Sequence, residues 1–125
     1  MINIAIIGAG HGVRVLAPAI DMVPGARLVA LATRSESSLD DARKTLDVDT
    51  FTTDWQDLIQ ADNIDAVAIA VPAAAQLDIA VAAFEAGKLV FLEKPLSTAL
   101  ADAETIAAAA DRSHQSPVMD FIFPM

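Results

Sequence analysis

Gly8-Ala9-Gly10-His11-Gly12 follows the apolar run Ile2–Ile7 directly and opens a segment with helical character. Glycine lacks a Cβ and takes backbone angles that other residues resist. Glycines so spaced at a strand-to-helix junction make a tight turn. They also let main-chain N–H groups at a helix N-terminus approach an anion such as a pyrophosphate. The dinucleotide fingerprint places its third glycine or alanine at position 13, where this chain has Val13, and Gly12 falls one residue early. The competing reading is that Gly8, Gly10 and Gly12 only shape the turn. His11 either faces phosphates or is an exposed loop histidine, and the exposed placement is the expectation.

The second stretch is Ala32-Thr33-Arg34-Ser35, at the end of the next apolar run. A site built for NAD carries Asp or Glu here to accept hydrogen bonds from the ribose hydroxyls. Thr33 stands in that place, with Arg34 and Ser35 after it. An acid would repel a 2′-phosphate, whereas a guanidinium and a hydroxyl would bind one. The chemistry favours NADP over NAD; the alternative is that Arg34 is a solvated surface charge. Glu36 is expected in the first turn of the following helix. The Gly-x-Gly-x-Gly spelling also occurs in methyltransferases that use S-adenosylmethionine, but they too hold the ribose with an acid at this point.

The third stretch is Glu93-Lys94-Pro95, which closes the run Leu89–Leu92. Ligands of open α/β sheets bind outside the carboxyl ends of strands, so Lys94 is expected at the ligand crevice. A lysine there can hold an anionic or hydroxylated substrate, and the proline constrains the backbone that aims it. Most lysines at strand ends do no more than face solvent.

These stretches need a sheet with strand ends in one row. Near-continuous apolar runs at Ile2–Ile7, Leu28–Ala32, Ala66–Val71 and Leu89–Leu92 read as strands buried on both faces, with a weaker strand at Thr50–Thr52 and a sixth over 117–123. Helical spacing lies between them. Leu77, Ala80, Val81 and Phe84 share a face that ends at Gly87. Leu100, Ala103, Ile106 and Ala110 share another, with Ser97 or Thr98 as N-cap. Asp54 and Asp57 precede Leu58 and Ile59 as a capped short helix would begin. The alternation predicts a doubly wound parallel α/β sheet, a Rossmann fold with strand order 3-2-1-4-5-6, in one domain over residues 1–125.

Composition narrows the function classes. The chain has 125 residues, is 54% hydrophobic, and has no cysteine, which excludes thiolate chemistry and cysteine metal sites and fits a reducing compartment. A net charge of −9 argues against a nucleic-acid surface. No apolar run is long enough to span a bilayer, and no basic region precedes the first run, so a cytoplasmic protein is expected.

The chain resembles the N-terminal domain of the glucose–fructose oxidoreductase, inositol dehydrogenase and MocA family. The matching residues are the Gly8/Gly10 loop with Pro18-Ala19-Ile20 behind it, Ile64-Asp65-Ala66-Val67 leading to Val71-Pro72, and Ala86-Gly87-Lys88 with Glu93-Lys94-Pro95. The resemblance covers essentially the whole chain. It implies an NAD(P)-dependent oxidoreductase acting on a sugar, cyclitol or related alcohol. It also implies that Lys94 touches both the nicotinamide side and the substrate, across a Lys94–Pro95 bond that is often cis. The family often has Asn directly after the proline and His four residues beyond it; here Ala73 and Gln76 occupy those places, and Gln76 can hydrogen-bond a ligand but cannot titrate. The cofactor-binding set is therefore Gly8, Gly10, His11, Gly12, Thr33, Arg34, Ser35, Val71, Pro72, Gln76, Glu93 and Lys94, with Lys94 also catalytic and no metal ligand.

Family enzymes continue into a second domain that covers the nicotinamide and supplies acid/base residues. The sequence ends before such a domain, and His114, at the end of the last helix, is expected to be a terminal charge rather than a base. A chain of this extent is expected to bind cofactor with little turnover. The alternatives are an NADP-sensing module without chemistry and, more weakly, a methyltransferase. Phe121, Phe123 and Met125 would leave apolar surface open, which predicts a homo-oligomer or a partner chain carrying the second domain.

Overall fold

Branched apolar residues fill the segments that pair, and successive side chains leave a strand on opposite faces. The computed structural model describes residues 1–95, 97–114 and 118–119. Within them β1 (Ile2–Ile7), β2 (Ala26–Ala32), β3 (Thr50–Thr52), β4 (Ala66–Ile69), β5 (Leu89–Leu92) and β6 (Val118–Met119) form one parallel sheet. Its order is β3-β2-β1-β4-β5-β6, as the strand–helix alternation predicts. The crossovers carry α1 (Ala17–Asp21), α2 (Glu36–Arg43), α3 (Trp55–Gln60), α4 (Ala73–Glu85) and α5 (Leu100–Ser113).

The helices cover both faces of the sheet. Ile7, Val67, Ile69, Ile79, Phe84 and Ile106 belong to the core on the side of α3, α4 and α5. Ile6, Leu16, Ile20, Leu28, Leu31 and Leu39 form the core on the side of α1 and α2. A bulge interrupts the β1–β2 register: Ile4 pairs with Leu28 but Ala5 with Ala30, which leaves Val29 unpaired. Val29 and Ala30 consequently feed the same core, and such a bulge sharpens the local twist.

Several boundaries follow named side chains. Ser35 caps α2 by accepting the Ser38 N–H at 3.3 Å, with Glu36 in the first turn as expected. Asp54 caps α3 by accepting the Gln56 N–H at 3.0 Å. α4 stops in a Schellman arrangement: the Lys88 N–H donates to Ala83 O and the Gly87 N–H to Phe84 O, both at 3.0 Å. Gly87 takes a φ of +76°, which explains the glycine at that place.

The structure corrects some expectations. α5 is capped by Ala99, not by Ser97 or Thr98; the Ser97 hydroxyl instead accepts the Ala99 N–H at 3.2 Å and closes a turn before the helix. Leu100 is exposed, so the buried face of α5 is Ile106, Ala109 and Ala110. On α4 the buried stripe is Gln76, Ile79, Ala80, Ala83 and Phe84, while Leu77 and Val81 are half-buried. β2 starts at Ala26 because Ile2 pairs with it. β4 stops at Ile69, where its neighbour β1 ends at Ile7. Of the sixth strand, Val118 and Met119 are described; the rest of 117–123 lies outside the described residues, as do Phe121, Phe123 and Met125. No described helix is long and apolar enough to cross a membrane.

Candidate functional site

The chain leaves β1 through Gly8, beside the end of β4. Gly8 has φ +118°, and a Cβ there would lie 2.2 Å from the Ala70 carbonyl oxygen. Only glycine lets the two backbones approach so closely. Gly10 has φ +65° and open space where its Cβ would be, with no atom within 4 Å. A ligand can therefore come down on this part of the loop.

Gly12 solves the spacing puzzle. Its Cβ would lie 2.7 Å from Ile6 Cγ2, so it supplies the close approach to the sheet usually made by a glycine at position 13. A π-helical turn over Gly12–Leu16 starts at this residue, with the Ala17 N–H bonded to Gly12 O, and runs into α1. Val13 is half-buried against the core under α1 and α2. Gly12 thus acts through packing, whereas Gly10 faces open space.

The carboxyl ends of β1, β2 and β4 open into a groove of about 510 Å³, lined among others by Gly8, Thr33, Arg34, Trp55, Val71 and Pro72. Thr33 is buried; its N–H donates to Thr52 O at 3.1 Å and its hydroxyl to Ser35 O at 2.9 Å. That hydroxyl shapes the turn after β2. Ser35 is likewise engaged with the start of α2, where its hydroxyl lies 3.1 Å from Ser38 Oγ. Arg34 is exposed, and its guanidinium has no polar partner among the described residues. It is the group at this end of the groove left to meet an anion.

The turn after β5, the strand paired with β4, carries Lys94, exposed and without a polar partner among the described residues. The Lys94–Pro95 bond is cis. The Glu93 N–H donates to Ile69 O at 3.2 Å, holding the start of the turn to β4. Gln76, one turn into α4 and fully buried, donates both amide hydrogens to main-chain carbonyls: to Glu93 O at 2.9 Å and Pro95 O at 2.7 Å. Its Nε2 is thereby committed to the protein and not free for a ligand. Its Oε1 is buried without a partner among the described residues.

His11 is not the exposed loop residue expected. Its side chain is 33% exposed, and Nε2 lies 2.9 Å from Oε1 of Glu93, whose side chain is 12% exposed. The contact is close but not aligned as a hydrogen bond, and neither atom has another partner among the described residues. The glycine loop and the β5 exit emerge side by side, which brings the two residues together. His114 ends α5 in a left-handed conformation and is exposed, consistent with a terminal role. Among the described residues no group of three or more His, Asp or Glu side chains could hold a metal.

Sequence reasoning missed Trp55 and Thr53, which line the groove just past β3. Their signal was available, since both sit at the carboxyl end of a strand. It also missed what Lys88 does. This buried lysine donates to Ala61 O at 2.7 Å and Ile64 O at 2.6 Å, tying the end of α3 to the approach of β4.

Comparisons with known proteins agree with this geometry. An oxidoreductase of Formosa agariphila is 37% identical over 114 residues, covering 90% of this chain and 36% of that protein. The structure of scyllo-inositol dehydrogenase from Lactobacillus casei with bound NAD(H) and scyllo-inositol is 30% identical with a TM-score of 0.86, covering 95% of this chain and 36% of that one. A 3-ketoreductase mutant from Actinomadura kijaniata in complex with TDP-benzene and NADP is 26% identical with a TM-score of 0.86, covering 96% and 38%. The chain spans a little over a third of the length of these relatives. A model of the oxidoreductase family with an NAD-binding Rossmann fold matches residues 2–121, so this chain belongs to that family, the one typified by glucose–fructose oxidoreductase, inositol dehydrogenase and MocA.

Proposed function

We propose that residues 1–125 are the dinucleotide-binding domain of an oxidoreductase that acts on a CH–OH group of a sugar, cyclitol or related alcohol, with NADP preferred to NAD. The observation that carries the reading is a groove at the strand exits that Gly8 and Arg34 line, with open space at Gly10 on the same loop and Lys94 at the exit of β5 next to β4, neither Arg34 nor Lys94 having a polar partner among the described residues. The residues fit an extended dinucleotide. Open space at Gly10 admits a pyrophosphate, and Val71 and Pro72 offer an apolar wall. Arg34 meets a 2′-phosphate without the repulsion an acid would add at Thr33. When bound, the nicotinamide supplies the hydride acceptor. Lys94 holds the substrate hydroxyl, and its ammonium favours negative charge developing on that oxygen.

The relatives' ligands support this range, since one binds NAD(H) with a cyclitol and another NADP. A second domain, in the same protein or a partner chain, would close the site and exclude water. The chain by itself is then expected to bind cofactor with little turnover. An apolar hollow of about 420 Å³ beside α1, lined by Ile4, Ile20, Phe91 and Val118 among others, supports a homo-oligomer or a covering domain. The absence of cysteine supports a cytoplasmic setting.

Calorimetric titration with NADP, NAD and S-adenosylmethionine tests the proposal. NADP is expected to bind best, and Arg34→Ala to weaken it about tenfold or more through loss of a charge-assisted bond, with NAD little changed. Binding of S-adenosylmethionine alone would reject the reading.

A further inference from the structure

Lys94 is bracketed by two carbonyls, Glu93 O and Pro95 O, and one buried amide holds both. We propose that Gln76 is a positioning residue: by clamping these carbonyls it fixes the β5-exit turn and aims Lys94 at the nicotinamide end of the dinucleotide. This inference rests on the dinucleotide reading above.

The hydrogen-bond inventory sets the orientation of the amide. A carbonyl can only accept, so two carbonyls facing one side-chain atom require that atom to be an NH₂ group. Gln76 Oε1 must then point away, and among the described residues it has no partner although Gln76 is fully buried. An unpaired buried acceptor is unfavourable, so core packing alone would be served better by an apolar side chain of the same size. The donors therefore explain why an amide suits this place. A carboxylate there would face two carbonyls with no hydrogen to offer, and a neutral imidazole would offer one.

The anchor is also rigid. Gln76 stands on the 13-residue α4, whose stripe Ile79, Ala80, Ala83 and Phe84 is buried in the core. The turn it holds carries an exposed lysine on a flexible stem, and its backbone otherwise bonds to β4 through the Glu93 N–H. Releasing the two carbonyls frees the base of Lys94 and leaves Arg34 untouched; the turn also meets the glycine loop through the Glu93 and His11 side chains, a contact that uses neither carbonyl. Strand order places β2 and β5 on opposite sides of the β1–β4 pair, so the two ends of the dinucleotide should respond differently.

The test titrates the purified protein and its Gln76→Met and Gln76→His variants with NADP and with 2′,5′-ADP, which lacks the nicotinamide half. Loss of both donors in Gln76→Met is expected to weaken NADP about tenfold and to leave 2′,5′-ADP within about twofold. Gln76→His, which keeps one donor, is expected to fall between, and it carries the test if the Met variant does not fold. Equal loss for both ligands, or loss for neither, would mean that Gln76 serves only the core and would overturn the positioning role. If the unmodified protein binds neither ligand, the dinucleotide reading fails and this inference fails with it.

Discussion

Replacing Gly8 and Gly10 by alanine, one at a time, separates a glycine required by the fold from one required by a ligand. At Gly8 the new Cβ would sit 2.2 Å from Ala70 O and 2.6 Å from Ala70 C, both backbone atoms, with φ at +118°. Backbone held in so sparsely populated a region costs about 1–3 kcal/mol for a residue with a side chain. Forcing the end of β4 aside adds about as much again, by analogy with overpacked cores. The loss is then about 4 kcal/mol, a large part of the roughly 5–15 kcal/mol that holds a domain together. At Gly10 the left-handed penalty of about 1–2 kcal/mol is partly offset by the stiffer unfolded chain, and no atom is displaced. Taking about 4 °C per kcal/mol for a chain of this size, Gly8→Ala should lower Tm by about 15 °C and Gly10→Ala by about 4 °C or less. Thermal unfolding followed by circular dichroism measures both. Equal shifts for the two variants would refute the division of roles within the loop.

Other outcomes follow from single contacts. Lys88→Met should lower stability by about 2 kcal/mol, because two buried carbonyls, Ala61 O and Ile64 O, lose a charged donor; denaturant unfolding checks this, and an unchanged midpoint would contradict it. Asp54→Ala should cost about 1 kcal/mol through loss of the α3 cap, measured in the same assay. Lys94→Ala should leave stability unchanged to within about 0.5 kcal/mol, as for an exposed side chain with no polar partner among the described residues, while weakening NADP more than 2′,5′-ADP.

Much of the scaffold was legible because burial on both faces of a parallel sheet leaves uninterrupted apolar runs, and four of these match β1, β2, β4 and β5 apart from end residues. The ends differ where pairing decides them. β2 begins early because Ala26 finds Ile2, and β4 stops where β1 does. The π-helical turn after the glycine loop leaves no periodic signature, since its wide turn spans only Gly12–Leu16. Residue type and strand-end position pointed to Gly8 and Arg34, which line the groove, and to Gly10 and Lys94 as candidates beside them. What side chains do to one another was not readable: the His11–Glu93 contact joins residues 82 positions apart, and the Gln76 clamp reaches across to Pro95. Such contacts depend on how the strand exits stand in space, which composition and spacing do not record.

The central claim, that a nicotinamide dinucleotide lies along the strand exits, is tested most directly by the backbone amide shifts of ¹⁵N-labelled protein titrated with NADP. Saturable shifts confined to residues 8–12, 33–35, 71–76 and 93–94 are the predicted result. Shifts centred on α5, or none at NADP concentrations that saturate related domains, would contradict it.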